Sequence, residues 1–361
     1  MDKSFKKDFV TIGCSSAASW AWGTSLIMGQ EIAQEKGLVA WFIWAICNSL
    51  TLALFGYLIN KGIIKKEIYE KKGIKAIALL IQLFCLLVQL NFINQQILIL
   101  SGNPVLSYAL TIAIGAFFTL IVFKKGLPTS IKTDVGQWAL TIVAILVIIG
   151  VGLGTGAPLR TFVETKPSGI MWGIWSGLIL ISGPIGDVQH WQRAESDKSK
   201  KGYYLGGALF ALYMLLILGM AVFEFTPLMH FILLIAVLCI TTSTIDSIAV
   251  ALHKLGDKRK GTAVALLICI FWGVFVEMGM VDLWSSFGIV RVALAVSILI
   301  LPFAYAKNGV ATITGILATI AVTLISIVLG LYSLGNIFGI VCICIAGLIF
   351  AGDILVLLRA E

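Results

Sequence analysis

Twelve stretches of mostly apolar residues follow one another along the chain, near 9–33, 38–60, 74–97, 104–123, 135–156, 168–190, 203–224, 229–252, 262–277, 283–305, 309–331 and 334–357. Crossing the hydrocarbon of a bilayer takes about 20 residues of helix. Inside it every backbone N–H and C=O must be satisfied within the segment or by a neighbour, which leaves helices for a pattern of this period. The chain is therefore read as an all-α polytopic membrane protein with about twelve transmembrane helices. The connections are short, so the chemistry has to sit within the bundle, and a large extramembrane catalytic domain is excluded.

Charge supports that count. Only 12% of the residues are charged, and Lys and Arg exceed Asp and Glu by 26 to 18. With the N-terminus and every second loop placed in the cytoplasm, those segments hold 22 of the 26 basic residues, among them Lys61 to Lys75, Arg193 to Lys201 and Lys254 to Lys260. The other side holds Lys36, Arg160 and Lys166, and Arg291 lies within a span. The bias fits a cell membrane protein with both termini cytoplasmic. It also explains the net charge of +8 without a nucleic-acid partner. No small-residue cleavage site follows the charged N-terminus, so no removable leader is expected. The seven cysteines all fall in apolar runs without zinc-ligand spacing and read as small hydrophobes.

Polar residues within the spans mark what the bundle is for. The eighth run contains Ser243, Thr244, Asp246 and Ser247 at mid-depth. Oxygen ligands there suit a hard cation; the alternative is hydroxyls bonding back to the helix or joining helices. The first run, Cys14 to Leu26, is rich in Ser, Ala and Gly, which fits either close helix contact or an unwound segment offering carbonyls. Gln82, Gln89 and Gln96 form a stripe on the third span. Asp134, near the start of the fifth, reads most simply as a charge favourable to a helix N-terminus. The sixth carries Trp172, Trp175 and Ser176, then Ser182-Gly183-Pro184-Ile185-Gly186-Asp187, where Gly-Pro kinks or breaks the helix. Arg291 in the tenth is expected to snorkel outward or to pair with Glu277 or Asp282. The three histidines form no catalytic cluster, so an enzyme is not expected.

Four stretches taken together resemble the sodium/solute symporter family: Ser243-Thr244-Ile245-Asp246-Ser247, Thr133-Asp134-Val135-Gly136-Gln137, Gln192-Arg193-Ala194 with Ser199-Lys200-Lys201, and the run from Ala18-Ser19-Trp20 to Gly37-Leu38. The Ala-Ser-Trp-x-Trp pattern is nearest the urea-type branch. The resemblance implies a leucine-transporter-like fold: a ten-helix core over 1–305 with inverted repeats at about 8–157 and 168–305, and two peripheral helices over 306–361. It implies a coupling sodium held by the carbonyls of Ala18, Ala21 and Ile240 and the hydroxyls of Ser243 and Thr244. Asp134 and Asp246 would lie along the ion's path. Leu180 and Gly183 stand where sugar-transporting relatives carry Asn and Tyr, and Thr24 and Ser25 where they carry Glu and Gln, which argues against a sugar. The solute site would be lined by Trp20, Trp22, Thr24, Gln89, Trp175, Ser182 and Trp284. Its tryptophans would favour a small, flat or amine-bearing solute. The expected function is sodium-coupled symport of a small organic solute by alternating access, with sodium, solute and lipid bilayer as partners and no organic cofactor. The alternatives are a non-transporting sensor or complex subunit of the same fold, and a passive solute channel.

Overall fold

A computed structural model describes residues 7–255, 257–275, 280–304 and 337–360. Fourteen α-helices occupy them: α1 Phe9–Trp20, α2 Gly23–Glu35, α3 Leu38–Asn60, α4 Lys66–Tyr69, α5 Lys72–Ser101, α6 Pro104–Ile121, α7 Leu127–Thr155, α8 Pro167–Gly186, α9 Val188–Ser196, α10 Gly202–Ala221, α11 Pro227–Leu252, α12 Lys258–Phe271, α13 Met280–Ala304 and α14 Ile337–Ala360. Seven of these, α3, α5, α6, α7, α8, α10 and α11, are each long and apolar enough to cross a membrane. The protein is a polytopic all-α membrane protein. The expected span at 309–331 lies outside the described residues.

The bundle is apolar outside and polar within. Val105, Leu110, Phe117 and Leu120 of α6 and Leu140, Val143, Leu146 and Leu153 of α7 point outward, where lipid would lie. Gln82, Gln89 and Asn91 of α5 and the whole Thr241–Ser247 segment of α11 are buried. Lipid solvates Leu and Val as well as a protein core does, so the exterior needs no polar coat, whereas amides and hydroxyls must find partners inside. Around α5 and α11 pack α7 along α11, α3 along α8, and α1 and α3 against α10.

Loop contacts join segments that the charge pattern places on one side. At the basic end the Lys7 amide donates to Ser196 O at 2.9 Å, Lys254 pairs with Glu70 at 3.4 Å, and the Lys258 ammonium donates to Lys124 O at 3.1 Å. Asp8 caps α1 there, accepting from the Thr11 amide at 2.8 Å, and that bond holds its carboxyl below the usual range. At the opposite end Arg160 donates to Gln34 at 2.8 Å and the Glu224 amide to Pro158 O at 2.8 Å. Gly37, with φ of 89°, turns the chain against Thr165 there, in a conformation that favours glycine.

The expected runs 9–33 and 168–190 are each two helices end to end. The first breaks at Ala21 and Trp22. Ala21 N–H still reaches Ala17 O at 2.8 Å, but Trp22 N–H turns to Trp20 O and Ser25 N–H to Trp22 O, both at 2.9 Å. These two amides would have served Ala18 and Ala21 in a continuous helix, so both carbonyls lose their helical donors. The second run behaves differently from the expectation at Gly-Pro. The helix continues through Pro184 and breaks at Asp187. Pro184 has no N–H for Leu180 O, and the Thr51 hydroxyl of α3 supplies that bond at 2.9 Å. Past the break, Trp191 Nε1 donates to Ile185 O at 2.8 Å, and α9 continues into the bundle as a buried helix.

Candidate functional site

The two breaks meet across Arg291. Its Nε and NH2 donate to Asp187 at 3.3 and 2.5 Å, and Gln82 Nε2 approaches the same carboxylate at 3.4 Å. Asp187 is 0% and Arg291 1% exposed. The partner is one the sequence did not suggest, because the α8–α9 break delivers to mid-bundle a carboxylate that hydropathy places at a span's end; Glu277 and the side chain of Asp282, the expected partners, lie outside the described residues. The guanidinium lies 5.6 Å from the Trp20 ring, 4.9 Å from Trp22 and 5.3 Å from Phe287. Trp20 is itself fixed, donating from Nε1 to Asn48 Oδ1 at 2.8 Å.

A small cavity of about 20 Å³ opens beside this pair, lined by Trp20, Trp22, Thr24 and Trp284 among the expected residues, together with Asn48, Trp44 and Arg291. The other three expected residues, Gln89, Trp175 and Ser182, are buried but are not part of its lining. The Gln89 amide has no hydrogen-bond partner among the described residues, and the Ser182 hydroxyl donates to Ile179 O at 2.7 Å. Gly183 is required by the Trp20 ring, which a Cβ at 183 would overlap. Gly183→Ala is expected to cost about 1–3 kcal/mol by overpacking. A thermal-unfolding midpoint in detergent equal to wild type would show that Trp20 yields.

A second polar cluster lies toward the basic end, where α1, α7, α9 and α11 converge. Arg193 NH2 pairs with Asp134 Oδ2 at 2.7 Å, and both side chains are 0% exposed. The same guanidinium donates to Ser15 Oγ at 2.8 Å, Ser130 Oγ at 3.1 Å, Ser247 Oγ at 2.6 Å and Gln189 O at 3.1 Å. Ser15 and Ser243 donate in turn to Asp134, the latter at 2.7 Å. Asp246 accepts from Ser130 at 2.7 Å and Thr133 at 2.6 Å. Two sequence readings change here. Asp134 is not a surface charge at a helix start; it lies two turns into α7 and is buried. Arg193 is not a solvated loop charge; α9 carries it inward after the Asp187 break. The four polar residues of α9 between Gln189 and Arg193 were the available signal, since nothing in a loop requires that spacing.

The expected sodium ligands fall on α1, its break and α11, and α1 and α2 both pack against α11. The carbonyls of Ala18 and Ala21 are released by the break. Ser243 and Thr244 give their protons to Asp134 and to Ile240 O, the latter at 3.2 Å, which leaves hydroxyl lone pairs for a cation. The donor set is all oxygen and suits a hard monovalent ion.

No family model matches the sequence, and no curated protein matches it. Among solved structures the fold is shared with one described as the substrate-bound outward-open state of a Na+-coupled sialic acid symporter with a novel Na+ site. The TM-score is 0.57 at 14% sequence identity, over 98% of this chain and 90% of that one. At that identity the likeness concerns the fold: this is a polytopic helical protein built like that symporter.

Proposed function

We infer that the protein is a secondary active transporter of a cell membrane, coupling sodium to the movement of a small organic solute other than a sugar. The observation that carries the reading is the pair of helix breaks that meet in the bundle. One releases the carbonyls of Ala18 and Ala21 beside the hydroxyls of α11; the other brings Asp187 and Arg291 to the rim of an aromatic cavity. Discontinuous helices at mid-membrane are how transporters offer backbone groups to ions and solutes without exposing them to lipid. The reading takes 8–157 and 168–305 as repeats of opposite orientation, each opening on a broken helix, with 306–361 peripheral and both termini cytoplasmic. Its motif at Ala18–Trp22 favours the urea-type branch of the sodium/solute symporters, and the Na+ coupling of the structural neighbour supports sodium as the driving ion.

In this reading sodium binds Ala18, Ala21, Ile240, Ser243 and Thr244 and leaves past Asp134 and Asp246. The Arg193 cluster ties α9 to α1, α7 and α11 at the basic end, so opening toward that side requires the cluster to separate. Sodium drives uptake only if it binds one access state better than the other.

Sodium alone tests the site. A ligand at ten times its dissociation constant adds about 1.4 kcal/mol to the folded state. Sodium in place of potassium is therefore expected to raise the unfolding midpoint of the purified protein. The Ser243→Ala, Thr244→Ala double variant is expected to lose that difference whatever its midpoint in potassium. An unchanged sodium-minus-potassium difference in the double variant would remove these hydroxyls from the ion site.

A further inference from the structure

The central cavity carries its own cation, and this narrows what it can take. Aromatic faces attract a cationic solute when they are free. Here Trp20, Trp22 and Phe287 already surround the Arg291 guanidinium at 5.6, 4.9 and 5.3 Å. That guanidinium is in turn matched by Asp187, with NH2 at 2.5 Å from the carboxylate. Among the described residues of the cavity lining Arg291 is the one ionisable side chain, and its ion pair is charge-balanced. A cationic solute would find two of the four lining indoles, Trp20 and Trp22, already facing a cation and the carboxylate engaged. An anionic solute would have to compete with Asp187 for Arg291 in a buried site, leaving a carboxylate without a cation.

The unspent hydrogen-bonding capacity of the lining is donor-rich. The indole N–H groups of Trp22 and Trp44 have no hydrogen-bond partner among the described residues, and the two residues are 4% and 2% exposed. The nearby acceptor Asn48 Oδ1 is taken by Trp20. A buried donor without an acceptor costs about 1–3 kcal/mol, so an occupant that brings acceptors to both indoles gains what the empty cavity forgoes. Four tryptophans among the lining residues, Trp20, Trp22, Trp44 and Trp284, offer flat walls.

We propose that the cavity selects an uncharged, planar solute presenting carbonyl oxygens or ring nitrogens as acceptors, the class of small amides, cyclic ureides and pyrimidine-like heterocycles. This rests on the transporter reading and removes the amine-bearing half of the solute class drawn from the tryptophans alone.

The test is a binding screen by tryptophan fluorescence and thermal shift on the purified full chain in sodium. The probes are uracil and hydantoin as uncharged planar acceptors, benzoate as a planar anion, benzylamine as a planar cation and proline as a zwitterion. Uracil or hydantoin is expected to bind at least tenfold more tightly than the charged probes. Trp44→Phe, which keeps the ring and removes the donor, is expected to weaken that binding about fivefold to tenfold, with the unliganded midpoint close to wild type. Trp22→Phe provides the same comparison at the second donor. Preferred binding of benzoate, benzylamine or proline overturns the proposal, as does binding of none of the probes, or a preference unaffected by either indole-to-phenyl change. Proteoliposome uptake separates this from the function: an uncharged probe that binds without sodium-driven accumulation defeats the transporter reading and leaves the ligand class standing. A charged probe that accumulates does the reverse.

Discussion

Arg193→Ala is expected to destabilise the protein by about 3–5 kcal/mol, the cost of stranding a buried carboxylate when its partner is removed. Asp134 would keep its hydroxyl donors Ser15 and Ser243 but lose its cation, with Asp246 a second carboxylate in the same cluster. Ser130 and Ser247 would each lose a donor as well. Arg193→Lys should recover only part of the loss. One ammonium has three donors on a flexible stem, whereas the guanidinium fork serves five acceptors on α1, α7, α9 and α11 at once. Removing both charges, as Arg193→Ala with Asp134→Ala, should cost less than the sum of the two single changes by more than 1 kcal/mol, the signature of a direct buried pair. Thermal or SDS-induced unfolding of the purified protein reads all four variants. Additive costs across that cycle would mean that the two charges do not share a site.

Asp187→Ala is the second large effect, again about 3–5 kcal/mol. It leaves Arg291 with the rings of Trp20, Trp22 and Phe287 and a long contact to Cys85 Sγ at 3.8 Å. Cation–π contacts are worth about 2 kcal/mol when desolvated, less than the buried guanidinium loses. Asp187→Asn separates charge from shape: the amide oxygen can still accept from Arg291, so its cost should fall between wild type and Asp187→Ala. The change also bears on the α8–α9 break. Asp187 stands at the N-terminus of α9, where a carboxylate is favoured by the helix dipole, yet its side chain turns away from the amides to Arg291. An Asp187→Ala protein within 0.5 kcal/mol of wild type would show that Arg291 finds another partner, and the charge-balance argument for an uncharged solute would fall with it.

Much of the architecture is legible in the sequence because hydropathy acts locally. A stretch such as Leu127–Thr155 or Pro227–Leu252 is a membrane helix wherever it packs, and both appear as such. The break in the first run was one of two open readings, and the small polar residues from Cys14 to Ser25 were its signal. The sixth run announced a disturbance through Gly183-Pro184 but misplaced it. Thr51 satisfies Leu180 from another helix, so the proline is absorbed and the chain breaks three residues later. That contact is long-range, and no local pattern contains it.

The charged residues of the site were the least legible. Arg193 follows a span and precedes Lys198, Lys200 and Lys201, so position along the chain assigns it to a basic loop. Arg291 follows Glu277 and Asp282, which suggested a partner nearby in the chain. Asp134 looked like a helix-start charge because Thr133, Asp134 and Gln137 follow a basic loop. Chain position measures depth only for a segment that runs straight across the bilayer. At Asp187 the chain turns and sends a polar helix inward, and depth then stops following sequence order.

The sequence by itself determined that this chain is a bundle of membrane helices, how its basic loops alternate, and which spans carry oxygen-rich, aromatic or interrupted stretches. These follow from hydrophobic transfer and backbone satisfaction, which each segment obeys independently. Only the tertiary structure decided which charge meets which: Arg193 with Asp134, and Arg291 with Asp187 beside the rings of Trp20, Trp22 and Phe287. A buried charge is stable only beside its counter-charge, and that proximity is a property of how the helices pack.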